Sequence, residues 1–286
     1  MPNPNNLTTA DANGKIMLDP EQVHDILVRP FLEQSVTSQV TTPVTIDGHT
    51  NKVRFPILVS DPQVGWTAEG EEIAQGTPEF DQITVTPTKV AGLVIQSNEL
   101  VNDSNPNALN QVGQGLVRQI TNSVDAAFFG PTLAEPAAPG LEAATTATVT
   151  ATAATTFDWA EEAIGLAAGR GYTINHFVAN PADAVTMALV KESTTSSRGL
   201  LQADPAQPSV KTIGGVPLLT SPHVQAGTVW ALPTMAANLV IRQDANVVAD
   251  TSAFFTSDRT AIRATMRVGF GIVAPDAIVK ITLAGA

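Results

Sequence analysis

Side chains that could do chemistry are sparse in this sequence. His24, His49, His176 and His223 stand far apart with no shared metal-ligand spacing, and cysteine is absent. Without cysteine there are no disulfides, no thiolate catalysis, no iron–sulfur clusters and few ways to build structural zinc. There is no GxxxxGK[ST] phosphate loop, no GxSxG nucleophile turn, no HExxH zinc helix and no GxGxxG after a strand. Folding could still bring two histidines together, so the expectation of no enzyme, no metal and no cofactor rests on the missing motifs. His24 reads as a helix-surface side chain. Asn6-Leu7-Thr8 and Asn102-Asp103-Ser104 match glycosylation acceptors, by chance in a chain that shows no secretion signal.

Charge is more informative. Asp61, Glu69, Glu71, Glu72, Glu79 and Asp81 crowd into one stretch together with glycines and prolines. Far downstream, Arg259, Arg263 and Arg267 recur at even spacing on what reads as a strand, and so share one face. The opposite face, Ile262, Ala264, Met266, Val268, Phe270 and Ile272, is apolar at period two. In a chain with only 15 lysines and arginines this concentrates positive charge on one side of one strand. It is either an ordinary solvated face or a docking surface for the acidic stretch.

The acids belong to a long excursion. KVRFPILVS runs out as a strand, and DQITVTPTKVAGLVIQS returns, rich in β-branched residues. A two-stranded hairpin of this length is marginal in water, and little in it can pack into a core of its own. It is expected to lie on something else, the body of its own subunit or a neighbouring chain.

The stretch from 98 to 130 reads as one long helix. Asn105 caps it, Pro106 takes the first position, and Gly130 with Pro131 stops it. Leu109, Val112, Leu116, Ile120, Val124 and Phe128 recur three or four apart. The other face, Asn110, Gln111, Gln114, Arg118, Gln119 and Asn122, is nearly neutral and suits contact with other chains.

Around these elements, residues 1–14 read as an extended arm, and Asp19 with Pro20 opens a short helix that Pro30 interrupts. Residues 131–157 are an Ala/Thr-rich loop or edge strand. A helix from 159 to 168, a strand from 174 to 179 and a helix from 181 to 190 suggest a small α/β layer. A long polar loop covers 192–211, and GVPLLTSPHV and TVWAL follow as short strands.

With 286 residues and 43% apolar content the chain can build a real core, as two modest domains or one elaborated one. Its net charge of −12 repels nucleic acid and anionic lipid at long range. No run approaches the ~20 apolar residues that cross a bilayer. Membrane insertion and genome binding by charge neutralisation are not expected.

In order and spacing, VGWTAEGEEI, TPEFDQITVTPTKVAGLVIQSNELVNDS, SVDAAFFG, GGVPLLTS and RATMRVGFGIVAPDAIVKIT resemble the major capsid protein of tailed double-stranded DNA bacteriophages, the Hong Kong 97 type. The resemblance runs from about residue 20 to 283 and implies an α+β fold in five parts. These are an N-terminal arm and short helix (1–44), an extended hairpin loop (45–92), a peripheral domain with the spine helix (93–130), an axial α/β domain (131–240) and C-terminal strands returning to the peripheral domain (241–286). It implies a structural protein of the virion, assembled in the host cytoplasm into hexamers and pentamers that close an icosahedral head around DNA. The hairpin would then cross a neighbouring subunit, with Glu69, Glu71 and Glu72 facing Arg259, Arg263 or Arg267. Encapsulins resemble the same family and enclose enzyme cargo, which is the alternative.

Two departures bear on assembly. Some family members cross-link subunits through a hairpin lysine, an asparagine and a buried glutamate. Here Lys52 and Lys89 lie only at the hairpin base, Asp258 takes the asparagine position and Thr265 the glutamate position, so no cross-linking is expected. Many members also begin with a long scaffolding segment. This chain reaches its arm without one, which implies a separate scaffolding protein unless an upstream part was removed; a portal and a decoration protein are the other expected partners.

Overall fold

The computed structural model describes residues 16–17, 29–46, 50–60, 64–70, 72, 79–99, 107–131, 135–144, 146–151, 156–192, 199–203 and 210–283. In chain order, β1 (Ile16–Met17), α1 (Arg29–Gln34), α2 (Val36–Val40) and β2 (Thr42–Ile46) lead to β3 (Val53–Ser60), β4 (Glu79–Val85) and β5 (Thr88–Ser97). The long helix α3 (Asn107–Phe129) follows, then β6 (Ala147–Ala151), α4 (Asp158–Ala168), β7 (His176–Ala179) and α5 (Pro181–Leu189). The remainder is strand: β8 (Gln202–Ala203), β9 (Lys211–Ile213), β10 (Val216–Thr220), β11 (Thr228–Leu232), β12 (Ala237–Phe254), β13 (Arg259–Ile272) and β14 (Val279–Leu283).

The strands sort into two sheets and one free-standing pair. The first sheet runs β1-β12-β13-β5, with β2 also on β12; the second runs β6-β14-β11-β7-β10-β9-β8; among the described residues β3 and β4 pair with each other alone. Alternation in β13 does what its pattern demands. Ile262, Ala264, Met266, Val268 and Phe270 are buried, and Leu116, Val117, Ile120, Val124 and Phe128 of α3 lie in the same apolar cluster. Each such large side chain contributes roughly 1.5–3 kcal/mol by leaving water. Phe128 and Phe270 bring their rings to 5.0 Å. Trp230 and Leu232 of β11 belong to this cluster too, so one core runs from the first sheet into the second. A second cluster sets Trp159, Ala163 and Ala167 of α4 against Phe177, Val229 and Ile281. Asn180 caps α5 by accepting from the Ala182 N–H, and Gly214 and Gly215, both at positive φ, make the tight turn between β9 and β10.

Several expectations shift. The hairpin's return is two strands: β4 pairs with β3, whereas β5 crosses to β13. The break falls at Thr86-Pro87, where proline removes a ladder donor. Gly92 of β5 then rests so close to α3 that an added Cβ would come within 2.8 Å of Leu116. Pro30 lies in the first turn of α1, a position proline tolerates, and the short helix expected to precede it falls outside the described residues. Within 241–286, β13 stays in the first sheet but β14 pairs with β11 and β6 in the second. In the Ala/Thr-rich stretch, β6 is the edge strand and Leu141 is fully buried. Asp19, Pro20, His24, His49, Asn105 and Pro106 lie outside the described residues.

Candidate functional site

Among the described residues, the hairpin's contacts with the body of its own chain lie at its root. Gly269 and Gly271 leave a gap on the outer face of β13, and Val85 of β4 and Phe55 of β3 fill it: a Cβ on Gly269 would meet Val85 Cγ1 at 2.7 Å, and one on Gly271 would meet Val85 Cγ2 at 2.9 Å and Phe55 at 3.2 Å. Val85 is 4% exposed. A second tie holds Asn51, which accepts from Arg242 Nη1 on β12 at 3.0 Å. Beyond the root the strands are open. Phe80 is 71% exposed and Val64 and Trp66 stand wholly in solvent.

The predicted acids are carried on this projection. Glu69 is exposed in the turn made by Gly70 at φ 89, and Glu72, Glu79 and Asp81 are exposed as well; Asp61 and Glu71 lie outside the described residues. The predicted arginines share the outer face of β13, and the structure separates them. Arg259 and Arg263 are exposed and make no hydrogen bond or ion pair among the described residues, and the same holds for Glu69 and Glu72. Arg267 is half-buried, in register between Lys89 and Arg242, and engaged within its own chain. Beside Arg263, Leu93 of β5 is 59% exposed in the same row.

Elsewhere the polar residues hold the body together. Lys280 Nζ donates to both oxygens of Glu142, at 2.6 and 2.7 Å, and sits 5.5 Å from the centre of the Trp230 ring. Asn98 donates to Asp258 Oδ1 at 2.6 Å and accepts from the Thr260 hydroxyl, which fixes the β12–β13 turn with Asp258 at φ 48. His176 begins β7 beside Pro217, and His223 lies beyond the far end of β10, so the parallel pairing holds the two apart. Burial pushes the His176 imidazole below its ordinary value. No group of three or more His, Cys, Asp or Glu suited to a metal ion occurs among the described residues.

Sequence reasoning missed the buried Asp125. It lies inside the apolar stripe of α3 and takes donors from Ser35, Val36 and Thr37 at the start of α2. An acid at a core position between Val124 and Phe128 was the available signal, since a buried carboxylate must find donors.

A model of the phage capsid family matches residues 14–283. Among solved structures, the capsid of an empty GTA particle aligns with a TM-score of 0.70 at 20% identity, over 86% of this chain and 89% of that one. Microbacterium phage Oxtober96 gives 0.69 at 17%, over 87% and 91%, and Gordonia phage Cozz gives 0.68 at 17%, over 88% and 87%. Curated proteins yield no match. At such identities the structural likeness is one of fold, that of the Hong Kong 97-type capsids. The family match, spanning nearly the whole sequence, and two sheets sharing one core, with a hairpin seated at its root, lead to one conclusion: the chain belongs to the phage capsid family.

Proposed function

We propose that this chain is the major capsid subunit of a phage head, forming hexamers and pentamers that close an icosahedral shell around double-stranded DNA. The observation that carries this is the hairpin, a two-stranded projection with exposed apolar residues that such an element cannot hide by itself. In this reading residues 45–92 supply the extended loop, with β5 anchored in the peripheral sheet beside the spine helix α3, and the second sheet is the axial domain, β14 included. Glu69, Glu71 and Glu72 meet Arg259 and Arg263 of a neighbour, and Arg267 supports that face from within its own sheet. A net charge of −12 suits a wall that encloses DNA without binding its sequence.

A separate scaffolding protein, a portal and a decoration protein complete the set of partners. Subunits stay non-covalent: Asp258 is tied to Asn98, Thr265 stands at the glutamate position, and Lys89 sits in the β5 ladder opposite Arg267. Boiled shells should therefore run as a single monomer band. The encapsulin alternative has no observation in its favour.

Electron microscopy of the protein expressed alone, and again with the scaffold gene, tests the reading. Closed, uniform shells are expected in at least one of the two. Particles that carry a protein cargo in the native source would move the function to an encapsulin, and a chain that stays monomeric in both would sink the capsid assignment.

A further inference from the structure

The hairpin and the first sheet each leave something uncovered, and the two remainders match. On the hairpin, Trp66 is wholly exposed, with Glu69 three residues on and Glu72 six. Among the described residues no atom lies within 4 Å of where a Cβ on Gly65 or Gly70 would stand, so the backbone there is open on that side. A tryptophan on a projecting element is the side chain that most often anchors an association, because it brings a large apolar face and one polar N–H.

The outer face of the first sheet carries a groove of about 230 Å³ that crosses β5, β13 and β12, lined by Leu93, Val248, Asp250, Phe254 and Arg263 with two alanines. Its walls are mostly apolar, and it is roomy enough for an indole. Arg263 brings a cation without a partner among the described residues. Asp250 lies in the same wall, where it accepts from the Ser252 N–H and hydroxyl. One copy thus presents an indole followed by acids, and a slot with a basic wall.

We infer that Trp66 of one copy seats in the groove beside Arg263 of a second copy, with Glu69 meeting the guanidinium. The inference rests on the shell reading above and names the contact by which neighbours hold each other. The occupant is a second copy because the charges are complementary and neither Arg263 nor Glu69 has a partner among the described residues. Knob and slot lie on different surfaces, so the contact is head-to-tail, the kind that repeats around a ring.

The chain has no cysteine, so introduced thiols report alone. Thr67→Cys places one next to the indole and Ala253→Cys places one in the groove wall, both at exposed positions that leave Trp66, Leu93 and Arg263 intact. Mixed assemblies of the two variants, treated with a short bis-maleimide, should give a cross-linked dimer that is absent from either variant alone and from the dissociated mixture. Wild-type protein offers a second readout. Trp159 and Trp230 are 3% and 1% exposed, so acrylamide quenching of the dissociated chain reports Trp66, and most of it should be lost on assembly. Shells that form without the mixed cross-link, or with Trp66 as quenchable as before, would overturn this contact and leave the capsid reading standing. If no ordered assembly forms with or without scaffold, the capsid reading falls and the contact falls with it.

Discussion

Ser35 and Asp125, ninety residues apart in the chain, meet inside the core, where the serine hydroxyl donates to a carboxylate oxygen at 2.6 Å. The Thr37 N–H donates to the same oxygen and the Val36 N–H to the other, each at 3.2 Å. Ser35 also caps α2, accepting from the Ser38 N–H at 3.3 Å. One carboxylate on the long helix thereby fixes the chain that leads into β2. Replacing it leaves three donors unpaired, two of them buried, so Asp125→Ala should cost about 3 kcal/mol and lower the melting temperature by several degrees. Asp125→Asn, which keeps an acceptor, should lose less. Melts of the dissociated proteins decide this; an unchanged midpoint for the alanine variant would mean the network carries no stability.

The glycine seat beneath the hairpin predicts a size-dependent effect. Gly269→Ala pushes a methyl against Val85 and should cost about 1–3 kcal/mol by overpacking. Adding Val85→Ala removes the opposing methyls and should recover part of that loss. Hydrogen exchange across β4 is the direct probe: it should quicken in the single variant and slow again in the double. Equal exchange in all three proteins would show that the root is not seated there.

Arg263 and Glu69 are each without a partner among the described residues. Arg263→Glu should lower shell yield roughly tenfold at low salt, with a weaker effect as salt screens the contact. Glu69→Arg added to it should restore assembly. Arg267→Glu is the contrast, because that side chain is engaged at home and its reversal should also lower the melting temperature. Yields unchanged by Arg263→Glu would remove this pair from the interface.

His176 makes stability depend on pH. Its folded pKa lies below the ordinary 6.5 because burial disfavours the imidazolium. The unfolded chain therefore binds a proton first as pH falls, and native stability is lost from the unfolded value downwards until the folded imidazole also protonates. Melting temperatures taken between about pH 7.5 and 5.5 should fall less steeply for His176→Asn than for the wild type. Parallel curves would place the pH dependence elsewhere.

Much of this was legible because it depends on period and charge. The alternation of β13 put its arginines on one face, the three-to-four repeat of α3 marked its buried side, and an acidic glycine-bearing excursion announced that it could not bury itself. β12 escaped notice for a physical reason. Its pairing with β13 shifts register between Arg242 and Asn246 and again between Asp250 and Phe254, and each irregularity breaks the period of two that would have revealed an 18-residue strand. The groove was equally hidden, since Leu93, Val248 and Arg263 become neighbours only when three strands align. Trp66 was visible in the sequence, but its exposure depends on what the hairpin fails to cover.

The core that joins the two sheets bears on how a shell can bend. Trp230 and Leu232 pack in one cluster with Phe128 and Met266, so a flexing motion between the halves would have to open aromatic packing. The body is a stiff tile. Tiles that meet around five-fold and six-fold points need different dihedral angles, and a stiff tile cannot supply that difference from within. In the proposed shell that slack would fall to the hairpin, above its seat on Gly269 and Gly271, and to the slot proposed to receive Trp66, so curvature would be set by the appendage.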